Sequence, residues 1–361
     1  MGDAKWYAET KWLTVGSARK ERRMKSIGLI LNPMAGRDIR RLVARASLTS
    51  STDKLQAARR VIAGVEHAEA VQVLLIDDWE GMGRALQADC GDVVQLLPGD
   101  RDNRPGNPER TRIWSKALED AGASVLIIIG GDGTQRNAAE CSPKIPILAI
   151  AGGTNNVACW LGDETVAGYA AAMWTKHQPA LAETGHQAKL IHVKSQRSAD
   201  TLALIDVSLI RQRYTGALAV WEAREVMALL LAVADPARPG LSNVGGMVSK
   251  IAVDSDQGLF LSLNDGPSAI SVKAVLAPGL METFHIGHIQ RVALGEPIFW
   301  QAQAGGTLAL DGERTIVLAP GEQACLEIRR DGPWFLHPGR ILERLAHKSA
   351  THPPRGSHFA F

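Results

Sequence analysis

SVLIIIGGDGTQRNAAECSPKIPILAIAGGTNNVACWL, residues Ser124–Leu161, contains one arrangement twice. In each copy a short apolar run ends in a turn of glycines and small polar residues. Val125–Ile129 is short and rich in β-branched residues, so it reads as a strand buried on both faces. Gly130-Gly131 close it, and Asp132-Gly133-Thr134 turn the chain into a predicted helix, Gln135–Cys141. Ile145–Ile150 repeats the pattern and leads into Gly152-Gly153-Thr154-Asn155-Asn156. Glycines at such turns permit positive φ and close approach of the backbone to a ligand. A helix start offers N–H groups and the positive dipole end, which together suit a phosphate. Side by side at the carboxyl ends of parallel strands, the two turns would form the crevice where open α/β sheets bind ligands.

Upstream, the same grammar recurs. Ile27–Leu31 reads as a strand that runs into Asn32-Pro33-Met34-Ala35-Gly36, and helices are predicted over 38–46 and 53–64, the second capped by Ser51 or Thr52. Val71–Ile76 and Val93–Leu97 read as strands, 79–88 and 110–121 as helices, and 98–109 as a loop by its Gly, Pro, Asp and Asn content. Strand and helix alternate, which predicts a mainly parallel sheet in an α/β N-terminal domain spanning 25–175. Residues 1–24 are polar, with a basic cluster at Arg19–Arg23, and read as a flexible extension.

Downstream of an Ala-rich helix, Thr165–Trp174, the texture changes. Short β-rich runs appear at 189–194, 202–210, 248–253, 258–263, 269–276, 283–290, 306–310, 314–318 and 324–329, many separated by Gly, Pro and Asp. They predict a β-rich, sandwich-like C-terminal domain over 176–335. Leu218–Val233 reads as a helix within it, and 336–361 as a last helix, Gly339–His347, with a tail.

Composition sets broad limits. With 45% hydrophobic and 22% charged residues the chain is an ordinary globular protein, and 361 residues suit two domains. A net charge of +2 implies no strong pull on nucleic acid or membranes. Cys90, Cys141, Cys159 and Cys325 are widely spaced, which argues against a disulfide framework or a zinc site and suits a reducing cytoplasm. No apolar run approaches the roughly 20 residues needed to span a bilayer.

Asp132 is the foremost catalytic candidate. A carboxylate between glycines at the end of a buried strand can take a proton from a substrate hydroxyl, bind that hydroxyl, or hold Mg²⁺. The plainer alternative is a helix N-cap. Asn155, Asn156 and Asn32 offer amide groups at similar turns, although asparagine also serves turns for its own sake. Asp311-Gly312-Glu313, taken alone, is a hairpin turn. There is no G-x-x-x-x-G-K-[ST] and no helix-opening G-x-G-x-x-G, so neither a P-loop kinase nor a dehydrogenase-type dinucleotide site is indicated. His285 and His288 lie three apart on a predicted strand, on opposite faces, which disfavours a metal pair.

NPMAG (32–36), IIIGGDGT (127–134), GGTNN (152–156) and LDGE (310–313) resemble, in order, the motifs of the NAD kinase and diacylglycerol kinase superfamily. NPMAGRDIRRLVARAS, GGTNNVACWLGDETVAGYAA, ALIDVSLIRQRYTGALAVWE and LALDGER are more similar still to the AcoX group, ATP-NAD kinase-like proteins encoded with acetoin catabolism; the similarity runs from about Ile27 to Leu345. The resemblance implies an NAD kinase-like fold with a nucleotide site between the domains, ATP and Mg²⁺ as cofactors, NAD as substrate, and a cytoplasmic homo-oligomer. It would place Asn32, Gly130, Gly131, Gly133, Thr134, Gly153 and Thr154 at the nucleotide and its phosphates, with Asp132 acting on the acceptor hydroxyl. Asn155, Asn156, Asp311 and Glu313 would contact the substrate; Asp206, in the leading strand of the second domain, matches no family motif and is a weaker member of that set. The residues identify no metal ligands. GTNN is nearer the lipid-kinase GTxND pattern than that of a typical bacterial NAD kinase. Lipid or other small-alcohol kinases, and a non-catalytic NAD- or ATP-binding sensor, are the alternatives.

Overall fold

The structure, a computed structural model, describes residues 24–33, 35, 50–78, 80–99, 108–141, 144–211, 220, 222–264, 266–312 and 314–351. The helix expected over 38–46 lies outside these residues, as do the extension before Met24 and the tail beyond Thr351.

The first half alternates β1 (Lys25–Leu31), α1 (Ser51–Glu66), β2 (Val71–Ile76), α2 (Met82–Cys90), β3 (Val94–Leu97), α3 (Pro108–Asp120), β4 (Ala123–Gly130), α4 (Asp132–Ala139), β5 (Ile147–Ala151) and α5 (Glu164–His177). The five strands pair in parallel in the order β3-β2-β1-β4-β5. Sequence direction reverses between β1 and β4, so the loops after these strands open a crevice at the switch point. The strands are near-continuous apolar runs because both faces are covered. Ile27, Leu29, Ile127 and Ile129 pack under α1 and α5, while Ile30, Leu126 and Ile128 pack on the other side with Trp114 and Leu118 of α3. The helix starts carry their own caps: Ser50 and Asp53 form a capping box on α1, and the Asp163 carboxylate accepts from Thr165 and Val166 N–H on α5.

The chain then leaves this sheet and comes back. α6 (Leu181–Thr184) and β6 (Gly185–Gln187) lead into β7 (Leu190–Ser195), β8 (Thr201–Ala203), β9 (Asp206–Ile210), β10 (Val226–Leu231), α7 (Leu241–Gly246), β11 (Gln257–Leu263), β12 (Ile270–Ala277), β13 (Leu280–Ala293), β14 (Pro297–Gln301), β15 (Gly306–Leu310), β16 (Arg314–Leu318) and β17 (Gln323–Arg329). They form two antiparallel sheets, β12-β13-β11-β10-β9-β15-β16 and β14-β17-β7-β8, with one core of Ile191, Val207, Leu230, Leu308, Leu326 and their neighbours between them. β18 (Trp334–Leu336) returns to pair in parallel with β5 and antiparallel with β6, and α8 (Pro338–Thr351) places Ile341 in the core under α1 and α5.

Three expected elements are different here. The described part of Leu218–Val233 is a short 3-10 turn, Ala223–Glu225, followed by strand β10. Its Leu229-Leu230-Leu231 run has helix-forming residues, but it lies between β9 and β11 and is buried on both faces, so tertiary pairing overrides propensity. The strand expected at 248–253 reduces to a single bridge, Ile251 to Ala234, after α7. The run expected at 202–210 breaks at Leu204-Ile205 into β8 and β9.

Helices α1 and α5 cross in backbone contact. A Cβ at Gly168 would lie 2.0 Å from the Val61 carbonyl oxygen, and one at Gly64 2.2 Å from that of Thr165. Gly168→Ala should therefore overpack the crossing and cost about 1–3 kcal/mol, measured by urea unfolding. Where the chain leaves the parallel sheet, buried Lys189 donates from Nζ to the carbonyls of Ala252 (3.1 Å) and Gln257 (2.7 Å). Burial, and then the nearby Arg330 guanidinium, push its pKa down from the ordinary 10.5 to about 7. Below that value the cost of burying its charge is carried in full. Between about 7 and 10.5 the unfolded chain binds the extra proton, so the cost is relieved and stability should climb with pH across this window. Paired denaturation series should show that climb in the native chain and none of it in Lys189→Met.

Candidate functional site

Three loops meet at the switch point. The first follows β1, whose Leu31 is in register with Ile129 of β4. Asn32 is held there by its N–H on the Ile129 carbonyl (3.2 Å), and its Nδ2 donates to Thr134 Oγ1 (2.8 Å). The loop is gripped from behind by Lys54 of α1, 1% exposed, whose Nζ donates to the carbonyls of Pro33 and Ala35, each at 2.7 Å. Sequence reasoning passed over Lys54, which sits on a helix among ordinary surface charges; its position on the buried face was the available signal.

The second loop is the turn from β4 into α4. The helix begins at Asp132 itself, three residues earlier than expected, with Gly131 as its N-cap at φ −90°. None of Gly130, Gly131, Gly133, Gly152 and Gly153 has positive φ. Steric contact accounts for four of them instead: Gly131, Gly152 and Gly153 meet the opposite turn, and Gly130 meets Thr134. A Cβ on Gly153 would stand 2.5 Å from Gly131 Cα, one on Gly131 2.9 Å from the Asn155 carbonyl oxygen, and one on Gly130 2.7 Å from the Thr134 side chain. The N–H groups of the helix start are largely engaged: Asp132 N–H bonds Asn155 O (3.0 Å), and Thr134 and Gln135 N–H bond Gly131 O (2.9 and 3.1 Å). The expectation of a row of open anion donors there is corrected accordingly.

Asp132 is 3% exposed. It is not an N-cap: its Oδ2 accepts Val157 N–H (3.0 Å) and its Oδ1 accepts Ala158 N–H (2.9 Å), both from the chain just past the third loop. That loop is shaped by Asn156, whose Oδ1 accepts Gly153 N–H (3.0 Å) and Gly152 N–H (3.3 Å) while Nδ2 donates to Gly153 O (2.8 Å). Asn156 is thus a turn builder. Asn155 differs, since its Oδ1 is buried without a hydrogen-bond partner among the described residues. Residues 151–156, including Gly153 and Thr154, are half-buried, whereas 130–139 are buried throughout; the third loop is the accessible wall. Cys159 lies behind it with Sγ 3.4 Å from Gly130 O, and burial, then the Asp132 charge, raise its thiol well above the ordinary value. It is an inert packing group, not a nucleophile.

The second domain supplies the facing wall. Arg238 Nη1 donates to the carbonyls of Cys159 (3.3 Å) and Asn156 (3.4 Å). Gly240, at φ +117°, abuts Asn155: a Cβ there would be 3.1 Å from Asn155 Nδ2. Neither residue was singled out from sequence, although Pro236-Ala237-Arg238-Pro239-Gly240 carries a turn signature.

Asp311 does not present its carboxylate to a ligand. At φ +49° and 3% exposed, it accepts N–H bonds from Leu204 (2.9 Å), Ile205 (2.8 Å) and Asp206 (3.1 Å), and Arg136 Nη1 lies 3.3 Å away. Asp206, also buried, is part of this knot through its backbone. Glu313 lies outside the described residues. Among the described residues, no group of three or more His, Cys, Asp or Glu side chains is placed to hold a metal ion. No described helix is long and apolar enough to cross a membrane.

A parallel sheet with its switch point between β1 and β4, facing an antiparallel sandwich, is an NAD kinase-like fold. The yeast NADH kinase solved with NADH superposes with a TM-score of 0.50 at 12% identity, covering 94% of this chain and 91% of that one. A putative diacylglycerol kinase from Bacillus anthracis is a more distant likeness, with a TM-score of 0.42 at 11% identity over 88% of this chain and 98% of that one. Family models described as the ATP-NAD kinase N-terminal domain and the acetoin catabolism protein X C-terminal domain match residues 27–173 and 189–331. The acetoin catabolism protein X of Cupriavidus necator is 28% identical over 313 residues, 84% of this chain and 87% of that protein. The chain is thus similar to ATP-NAD kinases over its first half and to acetoin catabolism protein X over its second.

Lys54→Met should leave two buried loop carbonyls without their donor, costing about 2–4 kcal/mol by chemical denaturation and loosening the Asn32 contact with Thr134.

Proposed function

We propose that this chain is an ATP-dependent kinase that phosphorylates the 2′-hydroxyl of the adenosine ribose of NAD, giving NADP, in the setting of acetoin breakdown. The observation that supports this reading most is the pairing of Asp132 with Asn155. A carboxylate oriented by two backbone N–H groups and an amide oxygen lacking a donor are joined through the bond from Asp132 N–H to Asn155 O. An acceptor hydroxyl is the kind of donor that the Asp132 carboxylate would receive, and Asn155 Oδ1 would take a separate donor of the same substrate.

In the reaction, the ribose oxygen attacks the γ-phosphorus, its bond to the β–γ bridging oxygen breaks, and ADP leaves. The hydroxyl proton passes to Asp132 or is held by it. Such transfers need positioning and charge neutralisation more than covalent chemistry. Asn32, Thr134, Gly153 and Thr154 would frame the donor phosphates. The described residues offer no carboxylate cage, so Mg²⁺ would arrive with ATP, keeping several waters and at most one or two protein carboxylates. Bound there, it would screen phosphate charge.

The test is formation of NADP by purified protein with Mg-ATP and NAD, beside Asp132→Asn. The expected result is turnover in the native chain and a kcat lower by about 100-fold or more in the variant, with NAD affinity within a few-fold. NAD binding without NADP formation by the native chain would overturn the reading.

A further inference from the structure

The helix that carries Asp132 is bolted to the second domain by a residue one turn further on. Arg136, 1% exposed, donates from Nη1 to Leu310 O (3.0 Å) and lies 3.3 Å from Asp311 Oδ2. On its other side its Nε is 3.7 Å from Glu140 Oε1, and Glu140 Oε2 takes Arg112 Nη1 at 2.7 Å. The result is a chain of alternating charge, Arg112–Glu140–Arg136–Asp311, running from the half-exposed side chain of Arg112 on α3 into the buried hairpin turn of β15 and β16. Its last member grips the amides of Leu204, Ile205 and Asp206, where the β8 and β9 run is broken. Asp311 N–H donates in return to Asp206 O (3.0 Å).

Stability alone is a poor reason for such a chain. Burying a guanidinium and a carboxylate costs several kcal/mol per ion, and apolar replacements of similar size are often neutral or stabilising. What the guanidinium adds is direction: its Nη1, shared between Leu310 O and Asp311 Oδ2, fixes α4 at one angle to the turn. Asp132 shares that helix. Its carboxylate is tied to Val157 and Ala158 at one end of the crevice, while Arg136 ties the helix to the second domain at the other.

We propose that Arg136 is a positioning residue: by clamping α4 to the Leu310-Asp311 turn it sets the orientation of Asp132 relative to the second-domain wall of the crevice, and it keeps the Leu204–Asp206 segment ordered. The consequence for turnover rests on the kinase reading above; the consequence for segment order does not.

The experiment combines amide hydrogen exchange over the whole chain with NAD binding and NADP kinetics, for the native protein, Arg136→Met, Arg136→Lys and Asp311→Asn. In Arg136→Met, exchange across 203–207 should rise about tenfold or more relative to β4 and β7, because Asp311 loses the donor that orients it. Its kcat should fall about tenfold or more with NAD affinity within about threefold, the mark of a misplaced reacting group. Arg136→Lys should recover part of both losses, since its ammonium can pair with Asp311. Asparagine tolerates the left-handed φ at position 311, so Asp311→Asn should fold and show the same local rise even if Arg136→Met does not. Exchange that rises evenly over all segments, or stays unchanged at 203–207, would overturn the proposal. If the native chain makes no NADP, the kinase reading falls, and exchange at 203–207 still decides whether Arg136 orders that segment.

Discussion

The contact on which the site depends is between two stretches of bare backbone. Gly131 and Gly153 approach so closely that a single methyl on either would meet the other turn, at 2.5 Å from Gly131 Cα in one direction and 3.2 Å from Gly153 Cα in the other. Only with that spacing does Asp132 N–H reach Asn155 O, and only then do the amides of Val157 and Ala158 fall on the Asp132 carboxylate. Two adjacent parallel strands deliver the turns in register, Gly130 opposite Ala151. Larger residues would widen the strand ends and break each of these bonds together.

The second constraint is electrostatic. Helix α4, DGTQRNAA, is buried along its whole length although most of it is polar. Each buried polar group left unpaired costs about 1–3 kcal/mol, so the helix is tolerable only because its partners are built around it. Asp132 has backbone amides, Thr134 has Asn32, Gln135 donates to Ile128 O (3.1 Å), and Arg136 has the hairpin turn. The pairing is incomplete: Gln135 Oε1 and Arg136 Nε on this helix, and Asn155 Oδ1 on the facing turn, are buried without a hydrogen-bond partner among the described residues. Of these atoms, Asn155 Oδ1 is the one carried on the half-buried third loop, whereas Gln135 and Arg136 lie on the fully buried helix.

Much of this was legible in the sequence, and the parts that were not share a physical cause. The apolar runs of β1, β2, β4 and β5 and the small-residue turns after β1, β4 and β5 depend on local composition, and they stand where composition places them. Asp132 was legible as special, but its partners lie 25 and 26 residues further along, so its geometry was not. The same holds for Asp311, which reads as a hairpin turn and does form one, while its carboxylate serves amides more than 100 residues away in sequence. Lys54, Arg136 and Arg238 look like ordinary charges until the fold buries or half-buries them beside carbonyls. The Leu229–Leu231 segment misled because its residues favour helix and its strand state is imposed by neighbours on both sides.

The path of the chain ties these contacts together. The sandwich leaves the parallel sheet after α5 and rejoins it at β18, whose Phe335 pairs with Ile147 of β5 on one side and with His186 of β6 on the other. Both ends of the second domain are therefore anchored beside β5, the strand that delivers the 152–156 turn. Arg238 adds a tie from the second domain to that same turn, and Arg136 adds one from the Asp132 helix to the opposite hairpin. Three ties at different points around the crevice leave little freedom for one domain to turn against the other without breaking a buried bond. A crevice held in this way meets its ligand with its acceptors already placed, so less of the binding free energy goes into ordering the site.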